Sequence, residues 1–305
     1  MSTEAKPALS HRLLIVLSLM ALYFIWGSTY LAMRFAMDSL PPFMMAALRF
    51  AIAGFILYAG LRWRGHPAPS LQQWLGAAAV GTLLLAVGNA GVAYAEKTVS
   101  SGVAALGIAT VPIWMALFSG LWGQWPTRRE WLGIVIGTTG VVVLSMGGVM
   151  QASPLGAALI MLSAASWAFG SIWGKHLPMA EGAMGSASQM IVGGLVLVLA
   201  SLVAGEPLPQ HLSARTMYAM LFLIIFGSLI AYSAYQFLLH NVRPALATSN
   251  TFVNPVVALL LGAWLAGEVI GPSEYVALAI IVVGVLLVLP FGKNQLPGNH
   301  LSNNR

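Results

Sequence analysis

Apolar residues fill this chain in long unbroken runs, and polar residues gather in short clusters between them. A helix needs about 20 mostly apolar residues, each rising 1.5 Å, to cross about 30 Å of hydrocarbon. Ten segments meet that requirement: 12–34, 43–61, 72–94, 100–122, 129–147, 154–175, 183–204, 214–238, 244–266 and 273–290. The breaks fall at turn-forming or charged stretches such as Pro41-Pro42, Arg64-Gly65-His66-Pro67, Pro126-Thr127-Arg128-Arg129 and Glu206-Pro207-Leu208-Pro209. The runs are continuous rather than alternating, and the strands of a membrane barrel would be about half as long. The pattern therefore predicts an all-α membrane protein of ten transmembrane helices. The first run is too long for a cleaved signal peptide and leads straight into Trp26, Tyr30 and Met33, so it reads as a retained helix. Residues 1–11 and 291–305 read as polar tails.

The same pattern occurs twice. Adding 143 to Gly27-Ser28 gives Gly170-Ser171, and the same shift carries Val99 to Val242 and Pro112 to Pro255. After one inserted residue the shift is 144, taking Trp131 to Tyr275 and Gly140-Val141 to Gly284-Val285. The expected domains are five-helix repeats at 12–147 and 154–290. A repeat of half the chain in an apolar protein is the mark of architectures that hold a solute site between two related halves.

Charge adds an orientation. Only 7% of the 305 residues are charged, against roughly 25% in a soluble domain. Ten of the fourteen Lys and Arg fall on one side of the ten-span layout, three on the other (Arg34, Lys97 and Arg215), and Arg49 lies within a span. The basic side faces the cytoplasm by the positive-inside rule, so both termini are expected there. Five spans per repeat is an odd number, so the second repeat enters from the opposite face and the two are inverted around a central cavity. Exchange of conformations between inverted halves is a physical route to alternating access. The high pI of 9.8 arises from scattered topology signals, not from a patch for nucleic acid.

Several stretches resemble one family. They are Ile25-Trp26-Gly27-Ser28-Thr29-Tyr30, Val99-Ser100-Ser101-Gly102-Val103-Ala104-Ala105 leading to Pro112, Pro244-Ala245-Leu246-Ala247 leading to Asn254-Pro255, and Gly267-Glu268. In their order the chain is similar, from about residue 12 to 290, to the ten-helix EamA branch of the drug/metabolite transporter superfamily. That resemblance implies export or exchange of small organic metabolites, often amino acids or drug-like amines, across a bacterial-type inner membrane. It also implies a cavity lined by helices 1, 3, 4, 6, 8 and 9, with helices 5 and 10 as scaffold. One departure is Gly123-Gln124 where the second half has Gly267-Glu268.

Candidate substrate-contacting residues follow from polar and aromatic groups inside the spans. Helix 1 places Tyr23, Trp26, Gly27, Tyr30 and Arg34 on one stripe, read either as a cavity wall or as interhelix packing. Trp26, Ser28 and Tyr30 are the candidates there, and Trp167 and Ser171 are those of the second repeat. By the shift of 143, Phe24 and Trp26 correspond to Trp167 and Phe169. Helix 9 carries Asn250 and Asn254 one turn apart, and amides in a membrane need partners. Pro255 removes a donor and frees the carbonyl of Thr251; Pro112, with Thr110 and Trp114 nearby, is its counterpart. Gly27, Gly170, Pro112 and Pro255 are the candidate hinges. Helix 8 offers Ser228, Tyr232, Tyr235 and Gln236, with Asn89 at the position equivalent to Tyr232. Arg49, about two turns into helix 2, is either a snorkelling side chain or a buried functional charge, with Asp38 and Glu96 nearest in expected depth. If it reaches the cavity it favours a carboxylate-bearing substrate. Gly133, Gly137 and Gly140 of helix 5 serve packing within the fold or in a dimer.

Other chemistries find little support. There are no cysteines, no phosphate-binding loop, and no cofactor or metal is expected. All eight acidic residues and six histidines fall in loops or at helix ends, with Glu96, Glu268 and His240 the only gate-level titrating groups. The expected partners are a small-molecule substrate and the lipid bilayer, not nucleic acid, and the expected state is a monomer or weak homodimer. A channel-like permease and a membrane-embedded enzyme are the alternative readings; the second lacks a carboxylate pair, metal cluster or activated nucleophile.

Overall fold

The computed structural model of the protein describes residues 10–95, 98–99, 104, 107–146, 153–209, 211–266 and 271–289. Among them run ten helices: α1 (His11–Ala36), α2 (Pro42–Trp63), α3 (Leu71–Ala95), α4 (Val111–Leu121), α5 (Arg128–Met146), α6 (Pro154–His176), α7 (Gly182–Val203), α8 (Ala214–Asn241), α9 (Asn250–Ala266) and α10 (Pro272–Val288). A one-turn helix, Pro244–Ala247, leads into α9. Seven of these helices, and the run Pro244–Leu261 that joins the one-turn helix to α9, are long and apolar enough to cross a membrane; α4 and α10 are shorter as described. Helix starts follow local chemistry. Ser70 and Gln73 form a reciprocal capping box, Ser153 and Ser213 cap α6 and α8, and prolines occupy the first turns of α2, α6 and α10. Large apolar side chains such as Val16, Phe24, Leu199 and Val203 point outward, as a lipid-facing surface requires.

Equivalent helices of the two repeats lie against each other and run antiparallel. On α2 and α7, Gly54 faces Ile191 while Gly194 faces Ala51. A Cβ on Gly194 would stand 2.6 Å from the Ala51 backbone nitrogen, so these helices touch backbone to backbone. On α5 and α10, Gly133 faces Val288 and Gly140 faces Ile281, with Gly137 against Gly284. The helix 5 glycines thus serve packing within the fold. Glu206, just beyond α7, closes the seam at one end: its carboxylate accepts from the backbone nitrogens of Phe43 (3.1 Å) and Met44 (2.9 Å), capping α2.

The first helix of each repeat leaves its own repeat. Helix α1 packs on α8 and α9, and α6 packs on α3 and α4. Since α1 corresponds to α6, α3 to α8 and α4 to α9, this is one arrangement made twice. The repeats are therefore interlocked rather than side by side, and the space between them is walled by both.

Candidate functional site

Three cavity-lining helices carry π-helical stretches: Leu22–Trp26 in α1, Thr82–Ala90 in α3 and Leu223–Ile230 in α8. The wider turn shifts the register of side chains and loosens the backbone hydrogen-bond ladder, which is why such stretches concentrate at working sites. Trp26 and Asn89 stand in them, as do Gly227 and Ser228. The stretches in α3 and α8 are related by the repeat.

Side chains from α1, α2, α3, α4, α6, α8 and α9 enclose a cavity of about 100 Å³. Among the described residues its lining includes none from α5 or α10. One wall is aromatic. Trp26 and Trp167 meet edge to face with ring centroids 5.6 Å apart, and Tyr235 lies 5.3 and 5.4 Å from them. The Trp26 Nε1–H donates to the Gly227 carbonyl at 3.1 Å. The Trp167 Nε1–H donates to the Tyr235 hydroxyl at 2.8 Å, and that hydroxyl also bonds Ser171 Oγ at 2.9 Å.

The opposite chemistry is polar and incomplete. Arg49 is buried, only 2% exposed, and lines the cavity. Its Nε donates to Ser228 Oγ at 2.9 Å; Nη1 meets the Met33 sulfur at 3.7 Å; the guanidinium lies 4.8 Å from the centre of the Phe50 ring. A Cβ on Gly227 would come within 2.9 Å of Nη2, so this glycine makes the room the guanidinium occupies. Asn89, Asn250 and Asn254 also line the cavity, and the Oδ1 atom of each is buried without a protein partner. The described residues around the cavity include no carboxylate.

A second cavity of about 500 Å³ lies beyond Trp167 and Tyr235, lined in part by Gly170, Ser171, Gln189, Ser233, Gln236 and His240. Ser171 faces this cavity while Tyr235 faces the first, so their hydrogen bond sits in the partition between the two.

The structure therefore gathers eight of the sequence candidates around one cavity: Trp26, Tyr30, Arg49, Asn89, Trp167, Tyr235, Asn250 and Asn254. Others go elsewhere. Ser28 Oγ donates to carbonyls of its own helix, at Ile25 and Phe24. Thr110 Oγ1 donates to the Gly107 carbonyl, and Trp114 stacks on Phe118. Ser171 belongs to the partition, and Tyr232 donates to Gln189 Oε1. Of the glycines proposed as hinges, Gly27 seats Val257 of α9 and Gly170 seats Leu84 of α3. Pro112 stands in the first turn of α4, and Pro255 lies inside α9. Asp38 is not the partner of Arg49: it pairs with Arg215 at 3.7 Å on an exposed face, because α2 turns Arg49 inward. Glu96 and Glu268 lie outside the described residues.

Thr29, Met33, Ser163, Thr248 and Thr251 also line the cavity and were not among the candidates. Thr29 and Met33 continue the stripe of Trp26 at helical spacing, a signal present in the sequence. Ser163 stands one turn before Trp167 and Thr251 one turn before Asn254, the same kind of signal, whereas Thr248, ahead of α9, had none. The Trp pairing likewise departs from the numerical repeat. Trp26 meets Trp167, whereas their formal equivalents stand apart, Phe24 exposed and Phe169 stacked on Trp173.

Antiparallel repeats, interlocked first helices and a polar cavity between them define a membrane transporter of duplicated design. The EamA-like transporter family matches twice, over residues 13–146 and 154–289, and the chain belongs to that family. It is 47% identical over 281 residues, 92% of each protein, to the uncharacterized inner membrane transporter YedA of Escherichia coli K12. It is 25% identical to a chloroplastic WAT1-related protein of Arabidopsis thaliana, over 87% of this chain and 67% of that one. A protein known from a crystal structure superposes with a TM-score of 0.73 at 21% identity, over 90% of this chain and 95% of that one, a likeness of fold.

Proposed function

We propose that this protein carries a small organic metabolite, an amino acid or an amphipathic drug-like compound, across the inner membrane by alternating access, in export or exchange. The observation that carries the reading is the pair of cavities separated by the Trp167–Tyr235–Ser171 hydrogen bonds. A solute held between Trp26, Trp167 and the asparagines is one thin layer of side chains from the second cavity. Antiparallel packing of equivalent helices supports an inverted repeat, and the Lys and Arg distribution supports cytoplasmic termini. Trp26, Tyr30, Asn89, Trp167, Tyr235, Asn250 and Asn254 are the proposed substrate contacts. The region of α9 around its internal Pro255 and the turn before Pro112 are the proposed hinges. The protein acts in this reading as a carrier rather than as an enzyme or an open pore.

The test is counterflow in proteoliposomes preloaded with unlabelled amino acids. A carrier gives transient accumulation of labelled solute above equilibrium, and the accumulation saturates. Ohmic currents without counterflow would establish a channel instead.

A further inference from the structure

The unusual group of the central cavity is Arg49. A guanidinium has five N–H donors and cannot shed its charge. Ser228 takes one donor and the Met33 sulfur accepts weakly from another. Among the described residues no carboxylate lies within ion-pair distance of it, whereas Arg215 is paired with Asp38 and Arg243 with Glu130. A charge held this way inside an apolar bundle is costly unless something else completes it. Its setting is built rather than incidental. Gly227 omits the one side-chain carbon that would displace Nη2, and Ser228, the next residue, fixes Nε. The π-helical stretch of α8 supplies both.

The same cavity is lined by acceptors without donors in the protein, the Oδ1 atoms of Asn89, Asn250 and Asn254, and by the rings of Trp26 and Trp167. Its walls thus combine N–H groups and positive charge from Arg49 with amide oxygens and aromatic rings, which receive N–H groups and cations.

We infer that Arg49, oriented by Ser228 and given room by Gly227, is the carboxylate anchor of the cavity, and that the substrate is read by its carboxylate at this guanidinium and by an N–H-bearing group at the asparagines. This rests on the reading of the cavity as the transport site. Two oxygens of a carboxylate match two adjacent N–H groups of a guanidinium, and at a buried guanidinium such a pair is stronger than in water. An ester has the same shape but no charge. Replacing the acid by its methyl ester therefore leaves the guanidinium buried and unpaired, which is how a site rejects an otherwise similar molecule.

The experiment measures binding to the purified protein by tryptophan fluorescence and by ligand-induced melting shifts. The probes are alanine, leucine and phenylalanine, each as free amino acid and as methyl ester. The wild type is expected to bind at least one free acid on the order of a hundredfold more tightly than its ester. Arg49→Gln should abolish that preference chiefly by weakening the acid, and Arg49→Lys should restore part of it. Ser228→Ala, which keeps the charge and loses only its orientation, should reduce the preference severalfold; it also serves if Arg49→Gln does not fold. Glu96→Gln should leave the preference in place. The assignment is overturned if the wild type binds no acid in preference to its ester, or if Arg49→Gln keeps the preference. It is equally overturned if Glu96→Gln erases it as Arg49→Gln does, since Arg49 would then serve an ion pair within the protein. Binding with the expected preference but without counterflow would refute the carrier reading and leave the anchor standing.

Discussion

Tyr235 holds its position through a hydroxyl that joins Trp167 on one side and Ser171 on the other, while its ring packs on Trp26. Tyr235→Phe keeps the ring and removes both bonds. Hydrogen bonds between membrane helices average below 1 kcal/mol, so the expected loss is about 1 kcal/mol of stability, a small fall in melting temperature. The larger expected effect is on the partition. The chain has no cysteine, so a single cysteine placed at Thr248 reports on its own, and its labelling by a thiol reagent applied from the cytoplasmic face should speed up in the Phe variant. A second contrast separates cavity residues from their neighbours in sequence. Asn254→Ala should weaken solute binding severalfold, and Ser28→Ala should leave it unchanged, because Ser28 is spent on its own helix. Equal effects of the two on binding would contradict the cavity assignment. The sequence supplied both residues as polar groups inside spans. It could not say which face of its helix each occupies, since these helices are apolar nearly all round and give little phase to read.

Helices meet here where side chains are absent. Lipid supplies no hydrophobic drive for helix association, so close backbone approach and van der Waals contact decide which faces pair. Gly194 is the clearest instance, and Gly194→Val should lower the melting temperature by an amount equivalent to roughly 1–3 kcal/mol. Gly60, on the same pair of helices, has nothing within 4 Å of the place a Cβ would take, and Gly60→Ala should be neutral or mildly stabilising. The glycines of α5 were readable as packing residues, but their partner was not. Only the fold assigns them to α10. The π-helical stretches of α1, α3 and α8 were likewise invisible, because their apolar sequences suit either helix and tertiary contacts select the wider turn.

The two repeats are joined on one face by Arg243, before α9, and Glu130, in the first turn of α5. Arg243 also donates to the Trp125 carbonyl, and Glu130 accepts from the Thr127 backbone nitrogen. By the repeat their equivalents are Ser100 and Glu274, so the opposite face has no matching cation in sequence. That opposite face is tied at non-equivalent positions, by Arg215 to Asp38 and by Glu206 at the start of α2, whereas the Arg243–Glu130 pair lies on the side carrying most of the Lys and Arg. Arg243→Gln should favour opening on that side, seen as faster labelling of the Thr248→Cys reporter by a cytoplasmic reagent and an altered ratio of influx to efflux. Unchanged labelling would make the pair a local brace without bearing on access.

What the sequence determined by itself is the list of parts: ten apolar segments, their duplication, the odd number of spans per repeat and the charge bias between faces. Each is set by partition between lipid and water, which depends on local composition and length. Tertiary structure alone decided that α1 and α6 cross into the opposite repeat, that Trp26 meets Trp167 and that Arg49 turns inward to Ser228 instead of to Asp38. Those choices depend on the shapes of surfaces far apart in the chain, and inside a bilayer hydropathy is nearly blind to shape.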